Sequence, residues 1–401
     1  MADDSRLGVD YRAPDYLARA RALVPLIEAA APRIEASRAF PPDVLGALHD
    51  AGMFRLLLPR SFGGAELDLP SFVRVIEILA GGDASVAWCV GQGGGCAMGA
   101  AYLPPEIARE IYGAPQAVLS WGPPATGPAK AQAVDGGYRL SGIWSFASGS
   151  PHCDWLGATQ CEITEADGSL RKDPRTGQPA RRVMLFPKAR ATMANAWAVI
   201  GLKGTGSDNY VLDDLFIPDA YSFTIDSQAD RRESGPLYRF MTLSLYGYAF
   251  AGAAVGIARA ALDGFVRLAS EKVPYRFSTK LRENATVQGQ IGLADARLRA
   301  ARLFLMTPLD EIWASVVASG APPSLEQRLT LRLASTHVIR EAKDVVAMIY
   351  EHAGSSAIFE KGPFERRFRD IHAMTQHMQA RFTNYETVGM ALLGLTPPPF
   401  I

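Results

Sequence analysis

The spacing of apolar positions changes twice along the chain. From residue 14 to about 113 the period is helical. In PDYLARARALVPLIEAAAPRIEASR, Leu17, Ala20, Val24 and Ile27 share one face, with Arg and Glu mostly elsewhere. Pro25 inside this run predicts a kink. PPDVLGALHDAGMF predicts a second helix, opened by Pro41 and Pro42 and closed by Gly52. LDLPSFVRVIEILAGGD predicts a third, stopped by Gly81 and Gly82, and PPEIAREIYG a fourth. From about 114 to 225 the period drops to two. QAVDGGYRLSGIWSFASG holds an Asp135-Gly136 turn between two candidate strands, a hairpin signal. CDWLGATQCEI, RRVMLFPK and YVLDDLFIPDAY predict further short strands, and LRKDPRTGQPARR a polar loop. From about 236 to 392 the helical period returns in four long segments, 237–270, 286–319, 325–351 and 364–392. Four such helices in sequence imply a bundle.

The expected fold is therefore mainly α with a central β domain. A helical domain spans 1–113, a β domain 114–225, and a four-helix bundle 226–401. Composition narrows the function. Lys plus Arg and Asp plus Glu are both 41, so the net charge is +0 and there is no electrostatic footprint for nucleic acid or an anionic membrane. The 48% apolar fraction suits a globular chain of 401 residues. Four cysteines, Cys89, Cys96, Cys153 and Cys161, have neither a disulfide framework nor zinc spacing, so no metal is expected. The first twenty residues lack the apolar core of a secretory signal. Tyr246 to Ala261, the most apolar stretch, carries Arg259 and many small residues and reads as a core helix. A cytoplasmic location is expected.

Four stretches in this order resemble the acyl-CoA dehydrogenase fold over about residues 14–395. They are LPRSFGGAELDL (58–69), SGIWSFASG (141–149), GLKGTGSDNYVLDDLFIP (201–218) and FERRFRDIHAMTQH (364–377). GIWSFASG, RDIHAMTQH and the ending LLGLTPPPFI are more similar to the two-component flavin monooxygenases than to true dehydrogenases. The resemblance implies an N-terminal helical domain, a middle β-sandwich or barrel and a C-terminal four-helix bundle, assembled as a homotetramer. It also implies reduced FMN or FAD delivered by a separate flavin reductase. A C4a-hydroperoxyflavin would then transfer oxygen from O2 to a small aromatic or heteroatom-bearing substrate.

A dehydrogenase needs a carboxylate base to take the α-proton of an acyl thioester. The two positions that the resemblance assigns to it are Met378 and Tyr246 here, and neither is a carboxylate. The elements that hold the adenine half of FAD are replaced by YRFSTKLRE (275–283) and HAGSSAIF (352–359). Fewer glycines imply a weaker grip on the ADP portion. Arg276 remains there as a cofactor-binding candidate. An acyl-CoA dehydrogenase with its base displaced to Glu351 or Glu386 is the second reading. A non-catalytic bundle subunit is the third.

For the monooxygenase, the resemblance points to His377 as the substrate's acid/base group. On an unbroken helix His377 falls near the face of Asp370, and an unperturbed imidazole titrates near neutrality. His372 lies on another face and is the second catalytic candidate, although a structural role suits it better. Trp144, Ser145, Phe146, Ser148 and Gly149 resemble a flavin-contacting element, in which Trp144 would face the ring and the serines would bond its polar edge. Trp121, in Ser120-Trp121-Gly122, is their partner. Gln92, Cys96 and Tyr246 are expected to line the substrate pocket, with Cys96 an inert buried thiol. GLKGTGSD reads as a tight turn whose Thr205 and Ser207 satisfy local backbone. Arg366, Arg367, Arg369 and Asp370 read as an ion-pair network or a subunit contact.

Overall fold

The computed structural model describes residues 13–398. The start of the acidic N-terminal stretch and the last three residues of TPPPFI lie outside the described residues. The N-terminal part holds α1 (Ala13–Ser37), α2 (Pro42–Asp50), α3 (Leu69–Gly82), α4 (Ala84–Ala97) and α5 (Pro105–Tyr112). Pro25 and Pro32 both lie inside α1, which is not ended by either. Asp68 caps α3 by accepting from Ser71 N–H. Asp83 closes α3 and opens α4, where its carboxylate accepts from Ser85 and Val86 N–H.

The helix α4 was not expected, because GQGGGC has low helix propensity. Packing overrides that weakness. A Cβ on Gly95 would sit 2.5 Å from the Tyr246 hydroxyl, so the missing side chain lets the two helices meet.

Eight strands follow: β1 (Leu119–Gly122), β2 (Ala129–Val134), β3 (Gly137–Ala147), β4 (Trp155–Thr164), β5 (Arg181–Pro187), β6 (Thr192–Met193), β7 (Asp208–Pro218) and β8 (Ser222–Phe223). They form one sheet in the order β6-β7-β3-β2-β4-β5-β8, with β1 also on β4. β2 and β3 make the hairpin expected at Asp135-Gly136, with Val134 opposite Gly137. β4 runs parallel to β1 and β2 and antiparallel to β5.

The C-terminal part contains α6 (Thr242–Glu271), α7 (Ala285–Ser319), α8 (Leu325–Ala353), α9 (Pro363–Met374) and α10 (Thr383–Leu392). α6 has the length and hydropathy of a membrane span, yet most of that stretch is buried against the rest of the protein. It is the core helix of the bundle. The fourth expected helix is two. Between α9 and α10 the carbonyl of Gln379 accepts from Thr336 Oγ1 and Asn384 Nδ2, and Gln379 Nε2 donates to Leu243 O. These tertiary bonds hold the segment in a 3-10 turn, Met378–Ala380, and take the place of continued α-helix.

Candidate active site

α4, β1, the end of β3, α6 and the turn after α9 converge on one aromatic cluster. Trp88 on α4 stacks on Phe250 of α6, with centroids 3.6 Å apart and planes within 2°. His377 stands edge-on to both, at 5.3 Å from Trp88 and 5.0 Å from Phe250. Tyr246, one helical turn before Phe250, accepts at its hydroxyl from Trp121 Nε1 (2.9 Å). Gln92 Nε2 donates to Trp121 O (3.2 Å) and approaches Cys96 Sγ at 4.0 Å. Trp88 Nε1 donates to Ser148 Oγ (3.0 Å). Thus His377, Gln92, Cys96, Trp121, Ser148 and Tyr246 are brought together. Trp88 and Phe250 had not been singled out. The signal available for Trp88 was its spacing of four and eight from Gln92 and Cys96, which shares a helix face only once α4 is recognised as a helix.

The end of β3 explains the position of Ser148. The β3–β7 register shifts between Trp144 and Ala147, and Phe146 there has φ +60°. Gly149 follows at φ +83°, a conformation that only glycine adopts freely. Its N–H donates to Thr205 O, and Ser120 Oγ donates to Ser148 O. The kinked backbone thereby turns Ser148 inward.

Several expectations need correcting. Trp144 is fully buried in the β domain, stacked on Tyr210, with its Nε1 donating to Thr159 O. It does not offer a ring face to the cluster, and Trp88 with Phe250 forms the aromatic wall instead. Phe146 is 58% exposed and meets the edge of Trp197. Ser145 lies beside it, half-buried, with its N–H on Pro123 O. His372 stays on α9, with Nδ1 against Phe368 O at 2.7 Å, away from the Trp88–Phe250 pair. Arg276 is exposed in the loop beyond α6. From Tyr246 to that end of α6 is about 25 residues, a rise of roughly 38 Å. Arg276 therefore does not reach the cluster of its own chain. Lys272 Nζ links its loop to Ala353 O and Ser356 Oγ, which joins the two segments that replace the ADP-holding elements.

His377 is not on the helix of Asp370, since α9 ends at Met374. Asp370 instead accepts from Leu202 N–H (2.6 Å). Burial, with Arg381 nearby, pushes the His377 imidazole down to about 4. It is neutral at physiological pH, unlike the unperturbed ring expected. Its Nδ1 faces Gln379 N–H at 3.4 Å, which leaves the proton on Nε2. Burial raises the Cys96 thiol far above its ordinary range.

The charged knot at α9 is an intramolecular network. Arg366 faces Asp83 (3.8 Å), Arg367 reaches Glu28 and Gly81 O, and Arg369 bridges Glu35 and Glu365. Burial and the neighbouring Asp83 push Asp370 up to about 7. None of the residues named in the aromatic cluster is a carboxylate. Glu351 and Glu386, the displaced-base candidates, are exposed on α8 and α10. Asp226 has its carboxylate engaged by the N–H and Oγ1 of Thr242 at the start of α6.

The residues present fit a flavin. A flat heteroaromatic ring needs apolar aromatic neighbours and a few polar groups at its edge. Trp88, Phe250 and Tyr246 supply the former, and Ser148, Gln92 and the backbone after Ser148 supply the latter.

Comparison with known proteins agrees. Residues 20–105 match the acyl-CoA dehydrogenase N-terminal domain and residues 248–382 its C-terminal domain. An indole-3-acetate monooxygenase of Pseudomonas putida is 30% identical over 358 residues, covering 89% of this chain and 88% of its own. The FADH(2)-dependent resorcinol hydroxylase, oxygenase component, of Rhizobium sp. (strain MTP-10005) is 26% identical, covering 94% of each chain. The crystal structure of 3-HSA hydroxylase from Rhodococcus sp. RHA1 superposes with a TM-score of 0.86 at 24% identity, covering 96% of this chain and 98% of that one. The matched domains at both ends, together with a relative of that identity along most of the length, show that the chain belongs to the acyl-CoA dehydrogenase family and is a flavin-dependent monooxygenase.

Proposed function

We propose that the protein is the oxygenase component of a two-component system. It takes reduced FMN or FAD from a separate reductase and oxygenates a flat, electron-rich aromatic molecule of the phenol or indole class. The observation that carries this reading is the uncharged aromatic cluster of Trp88, Phe250, Tyr246 and His377, with Ser148 at its edge and no carboxylate base. The names of the indole-3-acetate and resorcinol relatives support the substrate class.

Reduced flavin supplies the electrons with which O2 is activated. The chain's own residues bind, orient and exclude water. The Trp88–Phe250 wall keeps the site dry, which strengthens every hydrogen bond inside it. His377 is the acid/base group. Its neutral ring offers the Nε2 proton to a substrate oxygen, while the Nδ1 lone pair is engaged by Gln379 N–H. Gln92 and Tyr246 hold Trp121 in place beside the cluster.

Assembly follows from surfaces that a single chain leaves uncovered. Leu303 and Phe304 on α7 and Leu392, Leu393 and Leu395 at the C-terminal end are exposed. A homotetramer built through the bundle buries them, and brings Arg276 of one copy to the flavin of another. Four free cysteines suit a reducing, cytoplasmic setting.

The test supplies enzymatically reduced FMN or FAD, 18O-labelled O2 and a panel of phenols and indoles. One labelled oxygen in the product is the expected result. Oxidised FAD held tightly and bleached by an acyl-CoA without O2 would show a dehydrogenase instead.

A further inference from the structure

The turn read as merely structural, GLKGTGSD, feeds a chain of hydroxyls into the site. Thr205 Oγ1 lies 2.8 Å from Leu202 O, Ser207 Oγ 2.7 Å from Thr205 Oγ1, and Ser148 Oγ 2.7 Å from Ser207 Oγ. All three residues are buried. A carbonyl oxygen only accepts, and a hydroxyl has one proton to give. The proton of Thr205 is therefore committed to Leu202 O. Ser207 must give its own to Thr205, and Ser148 its own to Ser207. Trp88 Nε1–H, which can only donate, closes the chain on Ser148.

The anchor is firm. Leu202 O also accepts from Trp197 Nε1 and Thr205 N–H, while Leu202 N–H donates to the buried Asp370. Reversing the hydroxyl chain would set Thr205 Oγ1 and Leu202 O against each other at 2.8 Å with no proton between them. Ser148 Oγ thus faces the cluster as an acceptor with no proton to offer.

We propose that Thr205 and Ser207 lock Ser148 as an acceptor, and that this polarity makes the site prefer reduced flavin to oxidised flavin. The inference rests on flavin binding at this cluster. Reduction converts flavin N5 from an acceptor to an N–H donor, whereas N3–H is a donor in both states. An acceptor-only Ser148 therefore matches the N5 edge of the reduced ring and opposes that of the oxidised ring. Thr205 and Ser207 are specificity-determining residues acting through Ser148.

The test measures the affinities of oxidised and reduced FMN and FAD for the full chain, its Thr205→Val and Ser207→Ala variants, and Thr205→Ser. Removing either link frees a proton at Ser148. The preference for reduced flavin should then fall about tenfold, equivalent to roughly a 30 mV drop in the two-electron potential of the bound flavin. Thr205→Ser keeps the hydroxyl and should retain the preference. Thermal unfolding identifies any variant that is not folded, and the two independent positions leave one test standing. An unchanged preference in a folded, flavin-binding Thr205→Val or Ser207→Ala protein overturns this inference alone. If the unaltered chain binds neither state, the flavin reading fails and the inference with it.

Discussion

α4 and the segment that begins with α9 each pass through two very different environments. At one end, the buried Asp83, Arg366 and Asp370 and the half-buried Arg369 and Glu35 form an ionic junction. Five residues beyond Asp83, and seven beyond Asp370, Trp88 and His377 stand in a cluster with no ion pair. The junction fixes how α1, α3, α4, α9 and the 201–207 turn meet. The cluster needs that fixity, because a neutral stack has no directional force of its own beyond ring contact and single hydrogen bonds. Charge here positions; the uncharged site does the chemistry.

That division can be broken from either side. The largest effect should come from His377→Ala, which lowers substrate oxygenation by about 100-fold or more, with a smaller stability loss of about 1–2 kcal/mol from its ring contacts and the Gln379 N–H bond. Steady-state turnover with reduced flavin, alongside a melting curve, reads both. Equal losses in His372→Ala would place the acid/base role elsewhere. Next, Asp370→Ala leaves Leu202 N–H without its acceptor and unbalances Arg366. It should lower unfolding stability by about 3 kcal/mol in urea titration. Asp370→Asn keeps an acceptor and should lose about 1 kcal/mol.

Acidification should act on the neutral side. His377 and His152 are each held near 4, chiefly by burial, against about 6.5 when unfolded. His152 Nε2 accepts from Phe40 N–H, with Lys188 and His49 nearby, so protonation breaks a bond there as well. The unfolded chain binds these protons more readily. Stability is thus full above pH 6.5 and falls as pH drops toward 4, by roughly 2 kcal/mol for each histidine. Stability curves for His152→Gln should lose one share of that slope. The smallest effect should follow Glu351→Gln and Glu386→Gln, both exposed, with activity within about twofold of the unaltered enzyme and stability within about 0.5 kcal/mol. A large loss at either would revive the displaced base.

The three-zone order was legible because each zone has its own period, and the Asp135-Gly136 hairpin because its turn residues are local. His377, Trp121, Ser148, Gln92, Cys96 and Tyr246 were legible from the motifs that carry them. Trp88 and Phe250 were not, because α4 reads as a glycine-rich loop until Tyr246 and Phe250 are packed against it. The break after Met374 was also hidden. HAMTQHMQARF contains no Gly or Pro, and the bonds that interrupt it come from Thr336, Leu243 and Asn384 in distant segments or across the turn.

By itself, then, the sequence determined the layers, the hairpin and the residue types of the site, since periodicity and turn chemistry act over a few residues. Only the tertiary structure decided which aromatic faces the site and which is core: Trp88 and not Trp144. It alone made His377 neutral and gave Ser148 its hydrogen-bond polarity. Burial, ring contact and the direction of a hydroxyl chain depend on atoms brought together from α4, β3, the 201–207 turn, α6 and the segment after α9. No local stretch encodes that meeting.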